Sequence, residues 1–553
     1  MTEPPWYQTA VFYEVPVYAF FDANGDGIGD FAGLTQKLDY LQWLGVDCLW
    51  ILPFYESPRR DGGYDVSDFR AVWEPFGAVE DVRRFLDEAH ARGLRVIADM
   101  VVNHTSDQHP WFLEARRPGS PMRDWYVWSD DPTRWSDARV IFVDTHDSNW
   151  TWDAEAGAFY WHRFFDHQPD LNFDHPEVRE AVKDIVRFWL EAGFDGLRLD
   201  AVPYLFERDG TNGENLRETH EYLKELRAVV DAEYPDRILL AEANQWPQDV
   251  VEYFGDGDEC HMAFHFPVMP RLFMSVARED ASSLVDILAD TPRIPEGAQW
   301  GIFLRNHDEL TLEMVSEADR AYMYERYAPD PMMRKNVGIR RRLAPLVDGD
   351  RATIELLHAL LLSLPGSPIL YYGDEIGMGD NHLLEDRDGV RTPMQWDSTP
   401  GAGFTTGPPD HTYLPIVSAP GYGPEDVNVA DQLADSGSLL HWVRTLIDRR
   451  VAHPVFGTGD FLPVVSSNPA VFAFLRVDGS QVVLVVANMA STTQTAKLDL
   501  PAEFDGRQFV DLGAGPGTPI LDPRTPVTLS ARRFNWLMAA EPIEPTAAAE
   551  PTA

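Results

Sequence analysis

Five apolar runs in this chain, far apart in sequence, each end in polar or charged residues. The runs have the character of buried β-strands, and the polar residues stand at their carboxyl ends. When parallel strands close into a ring, their carboxyl ends meet at one face and surround one pocket. The pattern therefore predicts a barrel whose pocket collects these side chains. The five segments are Asp99–His104, Gly196–Asp200, Leu239–Glu242, Phe303–Asp308 and Leu370–Asp374.

Strand-like runs alternate with amphipathic helical stretches through most of the chain. Eight strand-then-helix units predict an α/β fold, a (β/α)8 TIM barrel, rather than an open doubly wound sheet. We assign the barrel to residues 1–103 and 171–452. The eight strand candidates are Val11–Val15, Val46–Leu52, Leu94–Met100, Phe194–Leu199, Ile238–Glu242, His261–Phe266, Trp300–Leu304 and Pro368–Gly373.

Two insertions interrupt this rhythm, and both leave from the strand ends where barrel active sites lie. Residues 104–170 are rich in Trp, Asp, Pro and His without a helical period, which predicts an irregular insertion after strand 3. Residues 309–350, after strand 7, hold clusters of Met, Tyr and Arg. A lid over the pocket and an ordinary helical interface patch explain this second composition equally well.

The pattern changes again at residue 453. Residues 453–540 contain short apolar or alternating runs separated by turn residues, which predict an antiparallel β-sandwich domain. The tail at 541–553 is rich in Pro, Ala and Glu, and we expect it to be disordered.

The composition excludes several classes of function. A formal net charge of −43 argues against binding the phosphates of DNA or RNA. Neither a signal peptide nor an apolar stretch of the roughly 18 residues that a membrane span needs is visible, so a cytoplasmic enzyme with no membrane partner is expected. The two cysteines, Cys48 and Cys260, lie in or beside apolar runs, which favours buried free thiols.

The acids at the strand ends point to sugar chemistry. Arg198 and Asp200 alternate with leucines, so both side chains should point into the barrel mouth. The guanidinium is expected to lower the pKa of Asp200 and keep it ionised, as a nucleophile requires. Glu242 follows an apolar run, so its pKa should be raised, as a general acid requires. A purely structural role would be the better interpretation of one such acid, but not of three at three strand ends.

Two histidines accompany these acids. His104 and His307 stand at strand ends beside Asn103 and Asp308. No HExxH motif or close His pair supports zinc, so they are better interpreted as hydrogen-bond partners of hydroxyl groups.

A loop near the start of the chain predicts a divalent-ion site. Oxygen ligands at every second position, with glycines between them, resemble the first nine positions of a calcium loop. Gly33 stands where an EF-hand needs an acid, and no helix leads in, so the loop is not an EF-hand. Its GxGxG pattern is a weak dinucleotide signal, because the acids would repel pyrophosphate. The ligand positions are Asp22, Asn24, Asp26, Ile28 and Asp30.

Several of these segments together resemble the α-amylase superfamily. DMVVNH at 99–104, GLRLDAV at 196–202, LLAEAN at 239–244 and FLRNHDE at 303–309 are similar to its four signature regions. QPDLNF at 168–173 resembles its additional short signature, and 386–396 narrows the resemblance to the branch with the oligo-1,6-glucosidases. Residues 13–21, 301–314 and 338–345 resemble the members that isomerise maltose and trehalose.

That resemblance implies intramolecular glucosyl transfer by a retaining double displacement, with minor hydrolysis to glucose. A hydrolase of the oligo-1,6-glucosidase or α-glucosidase type is the alternative. A non-catalytic relative, such as the ectodomain of an amino-acid transporter heavy chain, is disfavoured because it predicts a membrane span and damaged acids.

The resemblance also implies roles for individual residues. Asp200 matches the nucleophile, Glu242 the acid/base, and Asp308 the third acid, which grips sugar hydroxyls. The positions that match substrate contacts are Asp65, His104, Gln168, Arg198, His307 and Arg391. The positions that match a calcium site near the active centre are Asn103, Asp170, Tyr204, Leu205 and Glu207, with backbone oxygens at 204 and 205. The loop from Asp22 to Asp30 matches a second site, for calcium or magnesium.

Further expectations come from the same resemblance. Maltose and trehalose would be the small-molecule substrates, and no organic cofactor is expected. A homo-oligomer and a maltokinase partner are expectations at the level of the family.

Overall fold

Eight parallel strands close into a barrel at the centre of the computed structural model, which describes residues 4–479, 481–504, 507–513, 522 and 525–540. The strands are β1 (Phe12–Val15), β2 (Cys48–Ile51), β3 (Arg95–Val101), β4 (Gly196–Asp200), β5 (Ile238–Ala241), β6 (Met262–Phe264), β7 (Gln299–Phe303) and β8 (Ser367–Tyr371). Their neighbour order around the ring is β1-β8-β7-β6-β5-β4-β3-β2, which confirms the predicted barrel and all eight strands.

The strands form where apolar runs are bounded by turns and helix caps. Every residue of β4 is buried, and its leucines pack in the main core while Arg198 lies level with Asp99 on β3. Parallel strands covered on both faces require such continuous burial. The longer helices are Val79–Ala91, Pro176–Ala192, Arg217–Glu233, Val268–Arg278, Ser282–Asp290, Arg351–Leu361 and Leu439–Val451.

The insertion at 104–170 is more regular than its sequence predicts. It contains the helix Pro110–Ala115 and a three-stranded antiparallel sheet in the order Trp128–Ser129, Ala158–Trp161, Trp150–Asp153. The strands are short and lie between turns, so no period was visible. Several of its tryptophans build a small core of their own, including Trp150 and Trp161.

The segment 309–350 also folds over the carboxyl end of the barrel. Its strands Leu310–Thr311, Gly338–Ile339 and Arg334–Lys335 form a small antiparallel sheet with Gly338–Ile339 in the middle. The helix Glu317–Tyr327 connects the first of these strands to the others and begins at the capping residue Ser316.

The C-terminal domain is antiparallel, as predicted. Its main sheet has the order Asp460–Pro463, Val471–Asp478, Gln481–Asn488, Phe534–Ala539, Phe509–Asp511. One face of this sheet, with Phe474 and Val485, packs in the main core with the barrel. The other face, with Leu475 and Leu484, packs against two short ribbons and forms a second core.

Two further expectations concern the C-terminal tail and membrane-spanning helices. The predicted disordered tail at 541–553 lies outside the described residues. Among the helices of the described part, none has the length and apolar character that crossing a membrane requires.

Candidate active site

Three strand ends bring Asp200, Glu242 and Asp308 to one cavity. Asp200 is the last residue of β4, Glu242 follows β5 directly, and Asp308 lies five residues beyond the end of β7. All three line a cavity of about 120 Å³ at the carboxyl end of the barrel. The structure therefore assembles the three acids that the sequence singled out.

Arg198 lies under the first two acids and connects them. Its Nη1 contacts Asp200 Oδ1 and lies 2.8 Å from Asp99 Oδ1, while its Nη2 lies 2.8 Å from Glu242 Oε1. The guanidinium is 1% exposed, so these charge-assisted contacts are shielded from water. One guanidinium therefore contacts both carboxyls. Retaining enzymes place their two carboxyls about 5–5.5 Å apart, closer than inverting enzymes do.

Burial changes the expected ionisation of Asp200. Burial raises its pKa to about 6, because the opposing effect of Arg198 is partly cancelled by Asp99 and Asp308. The expectation of a lowered pKa is therefore corrected: the sequence reveals Arg198 beside Asp200 but not the neighbouring acids. Burial also raises the pKa of Glu242 to about 7, above that of Asp200. The order of the two values favours the ionised role for Asp200 and the protonated role for Glu242.

Asp308 is held by cations. Its Oδ1 accepts hydrogen bonds from Arg387 Nη1 at 2.9 Å and Arg391 Nη2 at 3.1 Å, and its Oδ2 lies 3.2 Å from His307 Nε2. Burial would raise the pKa of Asp308, but His307 and Arg387 outweigh it and hold the pKa well below its usual range. Asp308 is therefore a permanent negative charge in the cavity wall.

The two predicted histidines occupy different positions. His104 lines the cavity, and burial lowers its pKa to about 3, so it is neutral. Its Nε2 has no hydrogen-bond partner among the described residues, which leaves it available to a sugar hydroxyl. His307 lies behind the cavity wall, between Asp308 and Glu14 Oε1 at 2.6 Å. Although burial lowers the pKa of His307, these two acids raise it to about 9.

The predicted contacts to the far side of the sugar are shifted in the structure. Asp65 is fully buried and does not line the cavity, because its carboxylate accepts hydrogen bonds from Ser57 Oγ and the Asp61 N–H at 3.0 and 3.2 Å. Asp61 and Arg387 line the cavity instead and form an ion pair of 2.8 Å. Each lies four residues before the position that sequence reasoning chose. Both segments are loops, where strand alternation does not indicate which side chain faces inward.

The other predicted contacts support the wall. Gln168 is fully buried, and its Nε2 donates to Asp61 Oδ2 at 2.9 Å. Arg391 donates to Asp308 and, through Nε, to the His307 carbonyl at 2.9 Å. Neither belongs to the cavity lining, so both position residues that do.

Aromatic rings complete the cavity, and sequence reasoning did not single them out. Phe142 and Phe164 come from the insertion at 104–170, and Tyr64 and Phe266 come from the barrel. Rings of this kind offer flat apolar faces to a sugar. Their identity follows from the fold, because phenylalanine and tyrosine are common in any core.

The predicted calcium position near the active centre fits a hard cation. Asn103 Oδ1 and Asp170 Oδ2 are buried without hydrogen-bond partners in the described part of the chain. Burial raises the pKa of Asp170 to about 8 and that of Glu207 well above its usual range, and Asp170 adds to the shift at Glu207. Asn103, Asp170 and Glu207 thus offer buried oxygen atoms of the kind that calcium prefers, and the calcium site itself stays a prediction. Tyr204 and Leu205 lie at the end of the short 3-10 helix Val202–Tyr204.

This set contains only two acids. Among the described residues, no group of three or more His, Cys, Asp or Glu is placed to hold a metal.

The second predicted ion loop is already satisfied by its own backbone. The two carboxylate oxygens of Asp22 accept hydrogen bonds from the Gly25 and Gly27 N–H groups at 2.7 and 2.8 Å. Asp26 accepts from the loop amide of Ile28, and Asp30 accepts from the loop amide of Ala23 and from Gly33 in the helix that follows. The carboxylates of this loop therefore already have hydrogen-bond donors. An ion in the loop stays a prediction, with ligands at Asp22, Asn24, Asp26, Ile28 and Asp30.

A barrel that gathers an ionised acid, a protonated acid and a third, permanently charged acid around a small cavity is a site for glycoside chemistry. The family model described as the α-amylase catalytic domain matches residues 16–330 and 340–459, and the model of the maltogenic amylase C-terminal domain matches 461–536. The chain belongs to the α-amylase family.

Several relatives within the family are similar over nearly their whole length. The chain is 59% identical to a trehalose synthase/amylase of Mycobacterium tuberculosis, over 97% of this chain and 90% of that protein. It is 57% identical to a trehalose synthase of a Pimelobacter species, over 98% and 97% of the two chains. An oligo-1,6-glucosidase of Parageobacillus thermoglucosidasius is 30% identical over 90% and 92%.

Solved structures are similar over the same extent. The trehalulose synthase of Pseudomonas mesoacidophila has a TM-score of 0.79 at 29% identity and covers 97% of this chain and 100% of its own. An α-glucosyl transfer enzyme has a TM-score of 0.78 at 30% identity, with the same coverage.

Proposed function

We propose that this chain interconverts maltose and trehalose by moving a glucosyl group within one bound disaccharide. The observation that carries the proposal is the pair of acids on Arg198, inside a cavity that two insertions close over. Similarity to trehalose synthases over nearly the whole chain supports the choice of substrate.

The first displacement uses the two acids in their resting states. The non-reducing glucose of maltose binds with its anomeric carbon beside Asp200. Glu242 gives its proton to the bridging oxygen, while an oxygen of Asp200 attacks the anomeric carbon and the glycosidic bond breaks. A β-glucosyl ester of Asp200 forms, and glucose is released inside the cavity.

The second displacement restores the α configuration. The released glucose turns so that its anomeric hydroxyl faces the ester, and Glu242, now ionised, removes the proton of that hydroxyl. The hydroxyl oxygen attacks the anomeric carbon, the bond to Asp200 breaks, and trehalose forms. Two inversions give net retention. Water in place of glucose would give hydrolysis, so the enzyme must keep glucose in and water out.

The remaining polar residues of the cavity hold the sugar. Asp308 carries a fixed negative charge that suits a positively charged, oxocarbenium-like transition state. Asp61 and Arg387 face the cavity as an ion pair and can accept from and donate to sugar hydroxyls. His104 presents an unbonded ring nitrogen to the same space.

Contacts between the two insertions close the cavity. Arg139, from the 104–170 insertion, lies 2.6 Å from Glu313, from the 309–350 segment. Asp144 accepts a hydrogen bond of 2.6 Å from the backbone N–H of Asn336, which makes a second bridge. Arg139, Ile141, Glu313 and Val337 separate the inner cavity from an outer one of about 630 Å³. This arrangement supports the lid interpretation of residues 309–350.

Product analysis in the presence of labelled glucose tests the proposal. The protein is incubated with maltose and an excess of uniformly ¹³C-labelled free glucose. The disaccharides are then separated, and their masses are determined by mass spectrometry. We expect unlabelled trehalose, because glucose stays in the cavity between the two steps. Glucose as the sole product would make the protein a hydrolase. Trehalose with one labelled ring would show that free glucose enters the cavity and attacks the intermediate, so that the transfer is not intramolecular.

Calcium at the position near the active centre is part of the proposal. Asn103, Asp170 and Glu207, with the backbone oxygens of Tyr204 and Leu205, would hold the ion, which would fix the base of the 104–170 insertion beside His104. Metal analysis after dialysis should find calcium in the wild type and lose one equivalent in Asp170→Asn, and the melting temperature of the wild type alone should fall on chelation. The control Asp26→Asn, in the other loop, should keep that equivalent. Retention of all bound calcium by Asp170→Asn would contradict the assignment.

Other family-level expectations stay predictions. They are calcium or magnesium in the loop from Asp22 to Asp30, a homo-oligomer, a maltokinase partner and a cytoplasmic location.

A further inference from the structure

Glu14 lies behind the cavity wall as an acid that the proposed mechanism does not use. It is in the middle of β1, is 0% exposed, and does not line the cavity. Its Oε1 lies 2.6 Å from His307 Nδ1 and also accepts the backbone N–H of His307 at 3.1 Å. Burying a carboxylate costs free energy unless a partner compensates for it. The partner of Glu14 is His307, so the protonation state of the His307 ring decides what this contact does.

The contacts around His307 are best satisfied by a proton on each ring nitrogen. The Tyr64 hydroxyl has one hydrogen, which it donates to Asp99 Oδ2 at 2.9 Å. Tyr64 must then accept from His307 Nε2, which lies 2.7 Å from its oxygen and 3.2 Å from Asp308 Oδ2. On the other side of the ring, the carboxylate of Glu14 accepts from Nδ1. The ring is thus an imidazolium between two acids.

We propose that Glu14 is a positioning residue that keeps His307 doubly protonated, so that His307 holds Asp308 in its working orientation. The chain of contacts runs from Glu14 through the ring to Asp308, which alone of the three lines the cavity. Without the negative charge of Glu14, the ring would lose its Nδ1–H or its Nε2–H as pH rises. Loss of the Nε2–H would remove one donor from Asp308 and leave Tyr64 facing an unprotonated nitrogen.

Other charged groups surround this chain on every side. The groups that face it are Asp99 on β3, Arg198 on β4, Arg387 and Arg391 in the segment after β8, and Tyr371 and Asp374 at the end of β8. The arginines contact Asp308 or the other acids rather than the ring nitrogens, so Glu14 is the group that supports the Nδ1–H directly.

The inference rests on the proposed glucosyl transfer. The test measures formation of the Asp200 ester, a step that isomerisation and hydrolysis share. The substrate is α-glucosyl fluoride, whose fluoride leaves without needing a proton from Glu242. Attack by Asp200 breaks the carbon–fluorine bond, and fluoride release is counted whether glucose or water takes the sugar later. The pH profile of kcat/KM is then free of the ionisation of Glu242.

The test compares the wild type, Glu14→Gln and Glu375→Gln. The amide in Glu14→Gln keeps an oxygen that accepts from Nδ1 but removes the charge. Glu375 is an equally buried acid that contacts Tyr13 and Tyr40 and does not line the cavity, so it controls for loss of a buried charge. We expect the alkaline limb of Glu14→Gln to move down by about 1–3 pH units, the effect of one adjacent charge, and Glu375→Gln to follow the wild type.

Three outcomes decide the matter. A folded Glu14→Gln with an unshifted profile would overturn the proposal, even if its melting temperature fell. The same shift in Glu375→Gln would overturn it too, because the effect would then be general. If Glu14→Gln does not fold, ¹⁵N spectra of ring-labelled histidine in the wild type decide. A doubly protonated ring that persists near pH 8 supports the proposal, and its absence refutes it.

Discussion

The floor and the roof of the cavity are held in different ways. The floor consists of Asp200 and Glu242 on Arg198, which is 1% exposed and forms ion pairs with Asp99, Asp200 and Glu242. The roof depends on contacts such as Arg139–Glu313, a partly exposed pair in which the arginine side chain is 37% exposed and the glutamate side chain 14%. Breaking a fully buried ion pair leaves a stranded charge and costs several kcal/mol, and this cost falls as the pair becomes more exposed to water. The floor is therefore fixed and governs whether a bond breaks, while the roof can open and governs what attacks next.

The largest expected effect is in the floor. Asp200→Asn should lower maltose consumption by about 10⁴-fold or more, because no other group can form the ester. The measurement counts trehalose and glucose together. Turnover within tenfold of the wild type would remove Asp200 from its role and with it the distinction between floor and roof.

The next effect distinguishes Asp61, which lines the cavity wall, from Asp65, which does not. Asp61→Asn should reduce kcat/KM for maltose by about 100-fold, because it removes a charged contact to a sugar hydroxyl and breaks the pair with Arg387. Asp65→Asn should reduce kcat/KM by less than about threefold and chiefly lower the melting temperature, because Asp65 bonds only within its loop. The reverse ranking would restore the assignment made from sequence.

The pH dependence of maltose conversion should show both acids of the floor. Activity requires Asp200 ionised, with a pKa of about 6, and Glu242 protonated, with a pKa of about 7. The rate constant kcat/KM should thus peak between these values and fall about tenfold per unit beyond each, as pH drops through the first or rises through the second. With α-glucosyl fluoride the limb near 7 should disappear. If the limb near 7 persisted with this substrate, it could not be assigned to Glu242.

The smallest effect belongs to the roof. Glu313→Gln should weaken the contact with Arg139 and raise the ratio of glucose to trehalose by about three- to tenfold, with maltose consumption nearly unchanged. Asp319→Asn is the control, because Asp319 is in the same segment and pairs with Arg278 at 2.6 Å, but does not line either cavity. Equal ratios in both variants and the wild type would argue against a closing role for the roof.

The sequence predicted the floor better than the roof for a physical reason. Period-2 alternation in a strand fixes which side chains face the barrel mouth, so Asp200 and its neighbour Arg198 could be placed from β4 alone. Loops have no such period. Asp65 and Arg391, which the sequence predicts as sugar contacts, therefore lie outside the cavity lining, four residues after Asp61 and Arg387. Arg139 and Glu313 gave no signal at all.

The sequence by itself determined the barrel, its eight strands, the three acids and the family. These depend on local patterns of apolar and polar residues and on short segments that keep their order along the chain. Only the tertiary structure decided the pKa of Asp200, the place of Asp61 and Arg387 in the wall, the pairing of the two insertions and the contact of Glu14 with His307. Each of these depends on distances between residues far apart in sequence. Electrostatic and hydrogen-bond energies are set by such distances and by burial, and neither can be read along a chain.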